Sequence, residues 1–388
     1  MKRYLSTLII LTMLLTLCGC KQSTPTQLAT EPSTEPPTTP TEEKVEISQK
    51  PMYALSLIPI NETTPAKDGG TLFVYSHQNI ALILPEPEVA DKIIMDFLGR
   101  MDRAESYKNT LITDGLEEIY TILNRTLSYQ LNFVPARFDN SILSLSGTEA
   151  IYVGGIHADL IGQFATYDLL SGNVLSLPDI LHEGITADTL YPLVIAALEK
   201  DKTNNSLWDG YENVVKEQFE NGLLNYDAWY LSDNGLCFHY DPYAIAPYVS
   251  GPITAEIPYA DLLNILRDEY FPTETDYTTG EIKTQKFSVV NQNDFTQFAE
   301  VKLSDSGTNI LLYPEGAVTN VTIHANFVAN EPIYGNNQPV IFKAFTLTPG
   351  DAIMITLDPK QTQLRINYRS GNQTVSKTLI DETHNQFQ

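Results

Sequence analysis

Short, regularly spaced runs of β-branched, aliphatic and aromatic residues constrain the fold of this chain most. From residue 300 onward these runs alternate with turn-forming clusters such as Pro-Glu-Gly at 314–316 and Ser-Gly-Asn at 370–372. Strands of this length, separated by Gly, Pro and Asn, are typical of an antiparallel sandwich. We therefore expect a β-sandwich over residues 286–382. Its strands are predicted at 301–303, 309–313, 318–328, 340–347, 352–357, 363–368 and 374–380.

Residues 51–270 have a mixed pattern that indicates an α+β domain, an antiparallel sheet with helices. Helical periodicity appears over 89–123, with a break near 109–115, and again over 187–199, 211–219 and, briefly, 259–266. Because the helices come in blocks, an α+β domain is favoured over repeated βαβ units. Strands are predicted at 53–60, 71–76, 79–84, 127–137, 142–145, 157–169, 229–231 and 236–240. A threonine-rich segment at 271–285 is predicted to link this domain to the sandwich.

The N-terminus has the pattern of a lipoprotein signal peptide. Two basic residues precede an apolar run over 5–17, which is shorter than the ~20 apolar residues of a membrane span. The run ends in Leu-Cys-Gly-Cys at 17–20, which resembles the lipobox of bacterial lipoproteins. That resemblance implies loss of residues 1–19 and attachment of lipid, palmitate included, to Cys20. We expect an anchor in the cell membrane and a folded part on its extracytoplasmic face.

The segment that follows the anchor is predicted to be a disordered tether. Residues 20–50 are rich in Thr, Pro and Glu and contain almost no large apolar side chains. Processing would also remove Cys18 and acylate Cys20, which leaves Cys237 as the one thiol of the mature chain. A disulfide within that chain is then impossible. Stability must come from a buried core, which a 43% hydrophobic composition can supply.

The negative charge of the chain limits the classes of partner that it is expected to bind. The formal net charge is −24, and loss of the signal peptide makes it more negative. A surface of this sign disfavours nucleic acid and would attract cationic partners. The alternative is that the charge only keeps the surface solvated.

The chain carries no standard catalytic signature. Gly-x-Ser-x-Gly, His-Glu-x-x-His, a phosphate loop and an EF-hand loop are all missing, and we expect no cofactor, metal site or catalytic residue. Two close pairs remain, His157 with Asp159 and Cys237 with His239. On a strand each pair would share one face and could supply metal ligands or a base with its orienting group. Alternatively, His157 belongs to a turn and Cys237 to the core.

Three longer motifs carry a family resemblance. They are Gly-Gly-Ile-His at 154–157, a Tyr-Asp-Leu-Leu-Ser-Gly hairpin at 167–172 that leads to Leu-Pro-Asp-Ile at 177–180, and Tyr-Ala-Ile-Ala-Pro-Tyr-Val-Ser-Gly at 243–251. Together they resemble a domain of unknown function found in RsiV-type lysozyme-sensing anti-sigma factors. The same domain forms the non-catalytic N-terminal part of some peptidoglycan deacetylases. The resemblance covers residues 51–270.

This resemblance implies an RsiV-like extracellular binding domain and points to a set of candidate binding residues. Proline fixes the backbone, and tyrosines offer rigid amphipathic surface at a low entropic cost. Packing within the core is the alternative role for the same residues. The candidates are Gly155, His157, Tyr243, Pro247 and Tyr248.

Departures from the resembled proteins exclude two of their activities. An anti-sigma factor needs a cytoplasmic segment and a transmembrane helix, and neither is expected here. The deacetylases need an Asp-Asp pair and a His-x-x-x-His element, whereas only His324 and His384 follow residue 270. We therefore predict a non-enzymatic surface lipoprotein that binds a cell-wall glycan or a cationic protein such as lysozyme. The alternatives are a peptidoglycan-modifying enzyme that uses His157 or His239, and a structural or interaction module.

Overall fold

The computed structural model describes residues 52–113, 115–200, 206–220, 222, 226–272, 280–287, 298–327, 339–358 and 362–379. The predicted signal peptide, Cys20 and the tether lie outside these residues. The helices are α1 (Pro87–Thr113), α2 (Leu116–Leu123), α3 (Ala187–Lys200) and α4 (Tyr211–Glu220). The strands are β1 (Ala54–Pro65), β2 (Thr71–Ile83), β3 (Leu127–Phe138), β4 (Ile142–Tyr152), β5 (Asp159–Asp168), β6 (Trp229–Leu231), β7 (Gly235–Tyr240), β8 (Ile253–Pro258), β9 (Ile282–Phe287), β10 (Ala299–Lys302), β11 (Thr308–Pro314), β12 (Val318–Phe327), β13 (Val340–Leu347), β14 (Ile353–Leu357), β15 (Thr362–Ser370) and β16 (Gln373–Thr378).

Three sheets organise these strands. A nine-stranded sheet has the order β16-β15-β12-β13-β1-β2-β3-β4-β5, so β5 lies at one of its edges. A four-stranded sheet has the order β10-β14-β11-β9, and β6-β7-β8 form a third sheet. Within the large sheet β2 and β3 run parallel and are joined through α1 and α2, whereas β3, β4 and β5 are antiparallel neighbours.

Helix α1 covers one face of the large sheet. It starts with Pro87, whose fixed φ suits the first helical position. Ile93, Phe97 and Met101 follow at four-residue spacing and are buried on the side that meets the sheet. The ring of Phe97 lies 5.5 Å from that of Phe133 on β3. Each such buried side chain contributes ~1.5–3 kcal/mol, and this layer forms the first hydrophobic core.

A second core lies between the three-stranded sheet and helices α3 and α4. Leu190, Val194 and Leu198 recur at four-residue spacing on α3 and are fully buried. Val215 and Phe219 do the same on α4. Helix α3 contacts both β8 and α4. The apolar stripes of the two helices therefore cover one face of the small sheet.

A buried arginine at the end of β3 binds the segment that follows the three-stranded sheet and holds it against the large sheet. Arg137, at the end of β3, is 1% exposed, and its Nε donates to Asp139 Oδ2 at 2.7 Å. Its Nη1 donates to the hydroxyl of Tyr259 at 2.9 Å and to the carbonyl of Tyr270. Its Nη2 donates to the carbonyl of Phe271 at 3.1 Å. One guanidinium thus holds the last segment of the α+β region against β3.

The C-terminal region is a β-sandwich. Val301, Ile310 and Ile355 of the four-stranded sheet are fully buried. They share one core with Val321 and Ile366, which belong to the nine-stranded sheet. Two sheets that bury facing apolar side chains form the sandwich that the turn-punctuated pattern predicts. The fold class, an α+β domain followed by a β-rich domain, is confirmed.

The two regions share the nine-stranded sheet. Strand β1 pairs with β13, with Ala54 opposite Ala344. Lys343 on β13 is 4% exposed, and its Nζ lies 3.2 Å from Asp233 in the β6–β7 turn. The N–H of Asp233 in turn donates to the carbonyl of Ala136. The predicted α+β and sandwich regions are therefore joined by strand pairing and an ion pair, and their separability stays a prediction.

Two predicted elements differ from the structure. The predicted helix at 259–266 is wrong beyond one turn, since only Tyr259–Asp261 forms a 3₁₀ helix. Leu266 instead makes an antiparallel bridge to Leu181, which takes the backbone out of a helical path. The predicted linker at 271–285 ends too late, because β9 starts at Ile282 and pairs with β11.

Candidate functional site

The candidate binding residues come from two loops that meet beside the start of β5. The first loop connects β4 to β5 and contains Gly155 and His157. Gly154 and Gly155 have φ values of 113° and 114°, in the region that favours glycine. A Cβ on Gly154 would lie 3.0 Å from Leu123 Cδ1. The glycines therefore allow the tight turn that brings His157 to the surface.

The predicted strand over 157–169 starts too early, because residues 157 and 158 belong to this turn. Strand β5 begins at Asp159, and His157 lies in the loop before it. His157 and Asp159 therefore do not share a strand face, and this pairing is wrong. The imidazole instead turns toward the second loop.

The second loop connects β7 to β8 and carries the two tyrosines. The His157 ring stacks on Tyr248 with 3.6 Å between centroids and 15° between planes. Tyr243 lies 6.0 Å from His157 and 5.6 Å from Tyr248. Pro247, at φ −60°, precedes the 3₁₀ turn Tyr248–Ser250. His157, Tyr243 and Tyr248 therefore form one ring cluster, and Pro247 directly precedes one of its members. Gly155 is not part of the cluster.

Hydrogen bonds fix the orientation of these rings. The hydroxyl of Tyr248 donates to the carbonyl of Ala158 at 2.7 Å, and His157 Nδ1 lies 3.0 Å from the same oxygen. Because a carbonyl only accepts, Nδ1 carries the proton. With the proton on Nδ1, Nε2 can accept from the hydroxyl of Tyr243, 3.4 Å away. The cluster is therefore ordered by its own contacts before any ligand arrives.

Apolar side chains project from the tips of both loops. Ile156 is 97% exposed and Val249 is 91% exposed, each next to a stacked ring. Tyr243 is 55% exposed and has a φ of 70°, which is unusual for a residue with a side chain. We name Ile156, His157, Tyr243, Tyr248 and Val249 the aromatic loop surface. Exposed apolar groups beside rigid rings form the kind of surface that binds a partner.

The sequence pattern did not identify Ile156 and Val249. Isoleucine and valine are more often buried than exposed, so composition and periodicity give no reason to place these two at a loop tip. The signal that could have found them is their position directly beside a candidate ring, in loops that contain Gly154 and Gly155 or Pro247.

His239 and Asp241 anchor the second loop to the edge strand. His239 Nε2 lies 3.1 Å from Asp241 Oδ1, and the same oxygen accepts from the N–H of Gly162 on β5 at 2.7 Å. Burial raises the pKa of Asp241, but the hydrogen bonds from His239 and Gly162 outweigh it and hold that pKa below its usual range. A Cβ at position 162 would come within 2.6 Å of His239 Cδ2. The pair therefore positions the ring cluster over β5.

Cys237 is a buried core residue whose thiol lies beside Glu256. Its side chain is 2% exposed, and Sγ lies 3.9 Å from Glu256 Oε1. Burial, reinforced by the charge of Glu256, raises the pKa of this thiol to about 12. A thiol in this environment is neither a metal ligand nor a nucleophile near neutral pH.

Within the described ranges, no group of three or more His, Cys, Asp and Glu side chains is arranged to hold a metal ion. The helices of the same ranges include none with the length and apolarity needed to cross a membrane.

Comparison with known proteins places a family domain in this region. Residues 178–260 match the family described as "Protein of unknown function (DUF3298)", so the chain carries a DUF3298 domain there. This span includes Tyr243, Pro247 and Tyr248, whereas Gly155 and His157 precede it. No curated protein matches the chain.

Two solved structures are similar to part of the chain. A DUF3298 family member from Bacteroides fragilis has 18% identity and a TM-score of 0.44, and the match covers 57% of this chain and 96% of that one. A DUF3298 family protein from Pseudomonas aeruginosa PAO1 has 19% identity and a TM-score of 0.43, and the match covers 57% of this chain and 97% of that one.

Proposed function

We propose that this protein is a non-catalytic binding protein, held at the outer face of the cell membrane by lipid on Cys20, that captures a cationic protein of the lysozyme type on its aromatic loop surface. The observation that carries the proposal is the pair of nearly fully exposed aliphatic side chains, Ile156 and Val249, beside three rings already fixed by hydrogen bonds.

The apolar part of this surface supplies affinity. Energetic hot spots in protein interfaces are rich in aromatic residues that lose little entropy on binding. Tyr243 and Tyr248 fit this description, because stacking and hydrogen bonds already restrict their rings. Ile156 and Val249 would transfer from water to the interface at ~25 cal/mol for each Å² of apolar area buried.

The charge around this surface favours a cationic partner. Residues 153–159 and 241–251 contain the carboxylates Asp159 and Asp241 and no lysine or arginine. The whole chain has a formal net charge of −24. A field of this sign speeds the approach of a cationic protein and weakens as salt is added.

The expected location agrees with this partner. The N-terminal resemblance to a lipobox implies an extracytoplasmic anchor, and residues 20–50 would carry the folded part away from the membrane. Lysozyme and other cationic proteins that act on cell walls are encountered at that face. The motif resemblance to lysozyme-sensing proteins supports the same class of partner.

A calorimetric titration of the intact protein with lysozyme at low and at physiological ionic strength tests the proposal. We expect binding that weakens as salt rises, since rim charges are screened. Ile156→Ala and Val249→Ala should each weaken binding by roughly tenfold, which corresponds to ~1.4 kcal/mol and to the loss of about two buried aliphatic carbons.

Leu170→Ala is the matched control. Leu170 is 80% exposed and follows the opposite end of the ten-residue strand β5, ~30 Å from the aromatic loop surface. This variant should bind as the wild type does. Absence of lysozyme binding at low salt would overturn the cationic-protein proposal, and equal losses in all three variants would place the interface elsewhere. Binding of peptidoglycan fragments without lysozyme binding would favour a cell-wall glycan instead.

A peptidoglycan-modifying enzyme is the second candidate, and one observation favours it. His239 has a carboxylate partner in Asp241 at 3.1 Å, as a general base with its orienting group would. The structural role of the pair argues against catalysis, because Asp241 also binds the backbone of Gly162 and the His239 side chain is 11% exposed. Release of soluble fragments from purified peptidoglycan by the wild type, and not by His239→Ala, would support the enzyme.

A further inference from the structure

A cavity lies beneath helix α1 at the edge of the large sheet. It is on the face opposite to the one that His239 and Asp241 contact. It has a volume of about 180 Å³, and it opens between α1 and strands β3, β4 and β5. Leu131 and Phe133 of β3 form an apolar part of its wall. Its polar lining is made by Arg100, Arg103, Tyr107, Tyr129, Glu149 and Gln163. An apolar wall with a few convergent polar groups is the usual composition of a small-molecule site.

A fixed carboxylate lies on the sheet side of the cavity. Glu149 Oε1 accepts from the hydroxyl of Tyr129 at 2.7 Å, and Oε2 accepts from Gln163 Nε2 at 2.8 Å. Burial and the neighbouring Glu149 raise the pKa of Tyr129 far above its usual value, so the phenol stays a donor. Each carboxylate oxygen keeps a further lone pair, which can accept from a ligand. The carboxylate of Glu149 is thus held in one orientation and can still accept hydrogen bonds from a ligand.

Two arginines line the helix side of the cavity and differ in the hydrogen bonds that they make within the protein. Arg100 Nε donates to Asp96 at 2.9 Å, and its Nη1 donates to the carbonyl of Phe164 at 3.4 Å. Arg103 is exposed and, among the residues that the structure describes, makes no hydrogen bond or close ion pair, although its charge helps to lower the pKa of Asp96. The guanidinium of Arg103 can therefore receive a carboxylate from outside the protein.

We propose that this cavity binds a small zwitterion of amino-acid size, with its ammonium group at Glu149 and its carboxylate at Arg103. The volume is below the ~300–1,000 Å³ of sites for drug-sized ligands, which favours a molecule of this size. The ring of Tyr107 is 44% exposed at the cavity and packs edge-on to Tyr129 at 5.7 Å, where it adds a face for the ammonium group. A simple anion would give the carboxylate of Glu149 no positively charged group to bind. A simple cation would give the guanidinium of Arg103 no negatively charged group to bind.

The site is independent of the aromatic loop surface. Its polar groups belong to α1 and to the strand positions that face α1, whereas His239 and Asp241 contact β5 at Gly162, the neighbour of Gln163. Successive residues of a strand point to opposite faces. Failure of lysozyme binding would therefore leave this proposal unaffected.

The experiment is a thermal-shift screen of the intact protein against the standard amino acids and D-alanine, followed by calorimetry on any that raise the midpoint. Acetate and methylamine are included as probes that carry only one of the two charges. We expect at least one zwitterion to bind and neither single-charge probe to bind comparably. Glu149→Gln and Arg103→Ala should each raise the Kd roughly 10- to 100-fold, the range for a lost charge-assisted hydrogen bond.

Matched controls separate the cavity from general charge effects. Glu118→Gln and Arg125→Ala change exposed residues of the same types outside the cavity and should leave the Kd unchanged. Arg103 is exposed, so its truncation tests binding without disturbing the core. Absence of a bound zwitterion in the whole panel overturns the proposal. Binding that is equal in Glu149→Gln, Arg103→Ala and the controls overturns it as well.

Discussion

Replacement of Arg137 by Met tests whether one buried guanidinium holds the end of the α+β region in place. The substitution keeps a long unbranched side chain but removes every donor. Asp139, which is 5% exposed, then loses its ion-pair partner, and the carbonyls of Tyr270 and Phe271 lose their donors.

The expected cost follows from these lost partners. Removing one member of a buried ion pair costs ~3–5 kcal/mol, because the remaining charge has no partner. Asp139 Oδ1 retains hydrogen bonds from the N–H groups of Ser141 and Ile142, which compensate part of that charge. We therefore expect the lower end of the range, a loss of about 3 kcal/mol in the free energy of unfolding. At ~2 °C per kcal/mol, as in large domains, Tm should fall by about 6 °C.

Urea unfolding followed by circular dichroism measures this loss, and hydrogen exchange locates it. Exchange should accelerate in the segment that Arg137 binds, around Asp268–Tyr270. The double variant Arg137→Met/Asp139→Asn should regain at least ~1 kcal/mol over Arg137→Met, because the uncompensated charge is gone. Arg125→Met, an exposed control, should stay within ~0.5 kcal/mol of the wild type. An Arg137→Met variant as stable as this control would refute the reasoning.

Two further predictions concern single titratable groups. Burial, with the charge of Glu256 added, raises the pKa of the Cys237 thiol to about 12, so thiol reagents near neutral pH should label the protein only after unfolding; rapid labelling of the folded protein would contradict this. Hydrogen bonds from Lys377 and Lys283 lower the pKa of Glu281 from 4.5 to about 2. The stability from this carboxylate is therefore present above pH 4.5 and is lost as pH falls toward 2, and Glu281→Gln should remove that part of the pH dependence. Nuclear magnetic resonance titration of Glu281 with a midpoint near 4.5 would refute the shift.

Elements with a strong local period could be predicted from the sequence. The four-residue spacing of Ile93, Phe97 and Met101 is sufficient to predict α1, because a helix places these side chains on one face. The turn-punctuated runs after residue 300 likewise predict strands. The pairing of β1 with β13 could not be predicted, since register between strands far apart in the chain depends on the assembled core and not on local pattern.

The predicted helix at 259–266 failed for a tertiary reason. His182 donates its N–H to the carbonyl of Ile265, and Arg267 donates its N–H to the carbonyl of Ile180. These bonds tie the segment to residues that precede α3. The N–H of Leu266 still donates to the carbonyl of Leu262, but the carbonyl of Ile265 and the N–H of Arg267 pair outside the segment, so the turn does not continue as a helix. Long-range backbone pairing thus outweighs the weak helical preference of a short stretch.

The ring cluster was predicted as a set of residues but not as an arrangement. Proline and tyrosine in one loop, and Gly-Gly before a histidine in another, indicate ordered loops. That the loops meet depends on Asp241, whose carboxylate bonds both His239 and the backbone of Gly162. No local pattern contains the contact of Asp241 with Gly162, because 79 positions in the chain separate the two residues.

The rigidity of the aromatic loop surface bears on how a tethered protein could bind. A flexible tether increases the volume that the folded part can search, but it contributes no contact energy of its own. Affinity must then come from groups that lose little freedom on binding. The His157–Tyr248 stack and the shared acceptor at Ala158 meet this requirement, since the rings are ordered in the free protein. The same order would make lysozyme binding sensitive to Tyr248→Phe, which keeps the stacked ring and removes the hydroxyl that donates to Ala158, and calorimetric titration would measure the loss.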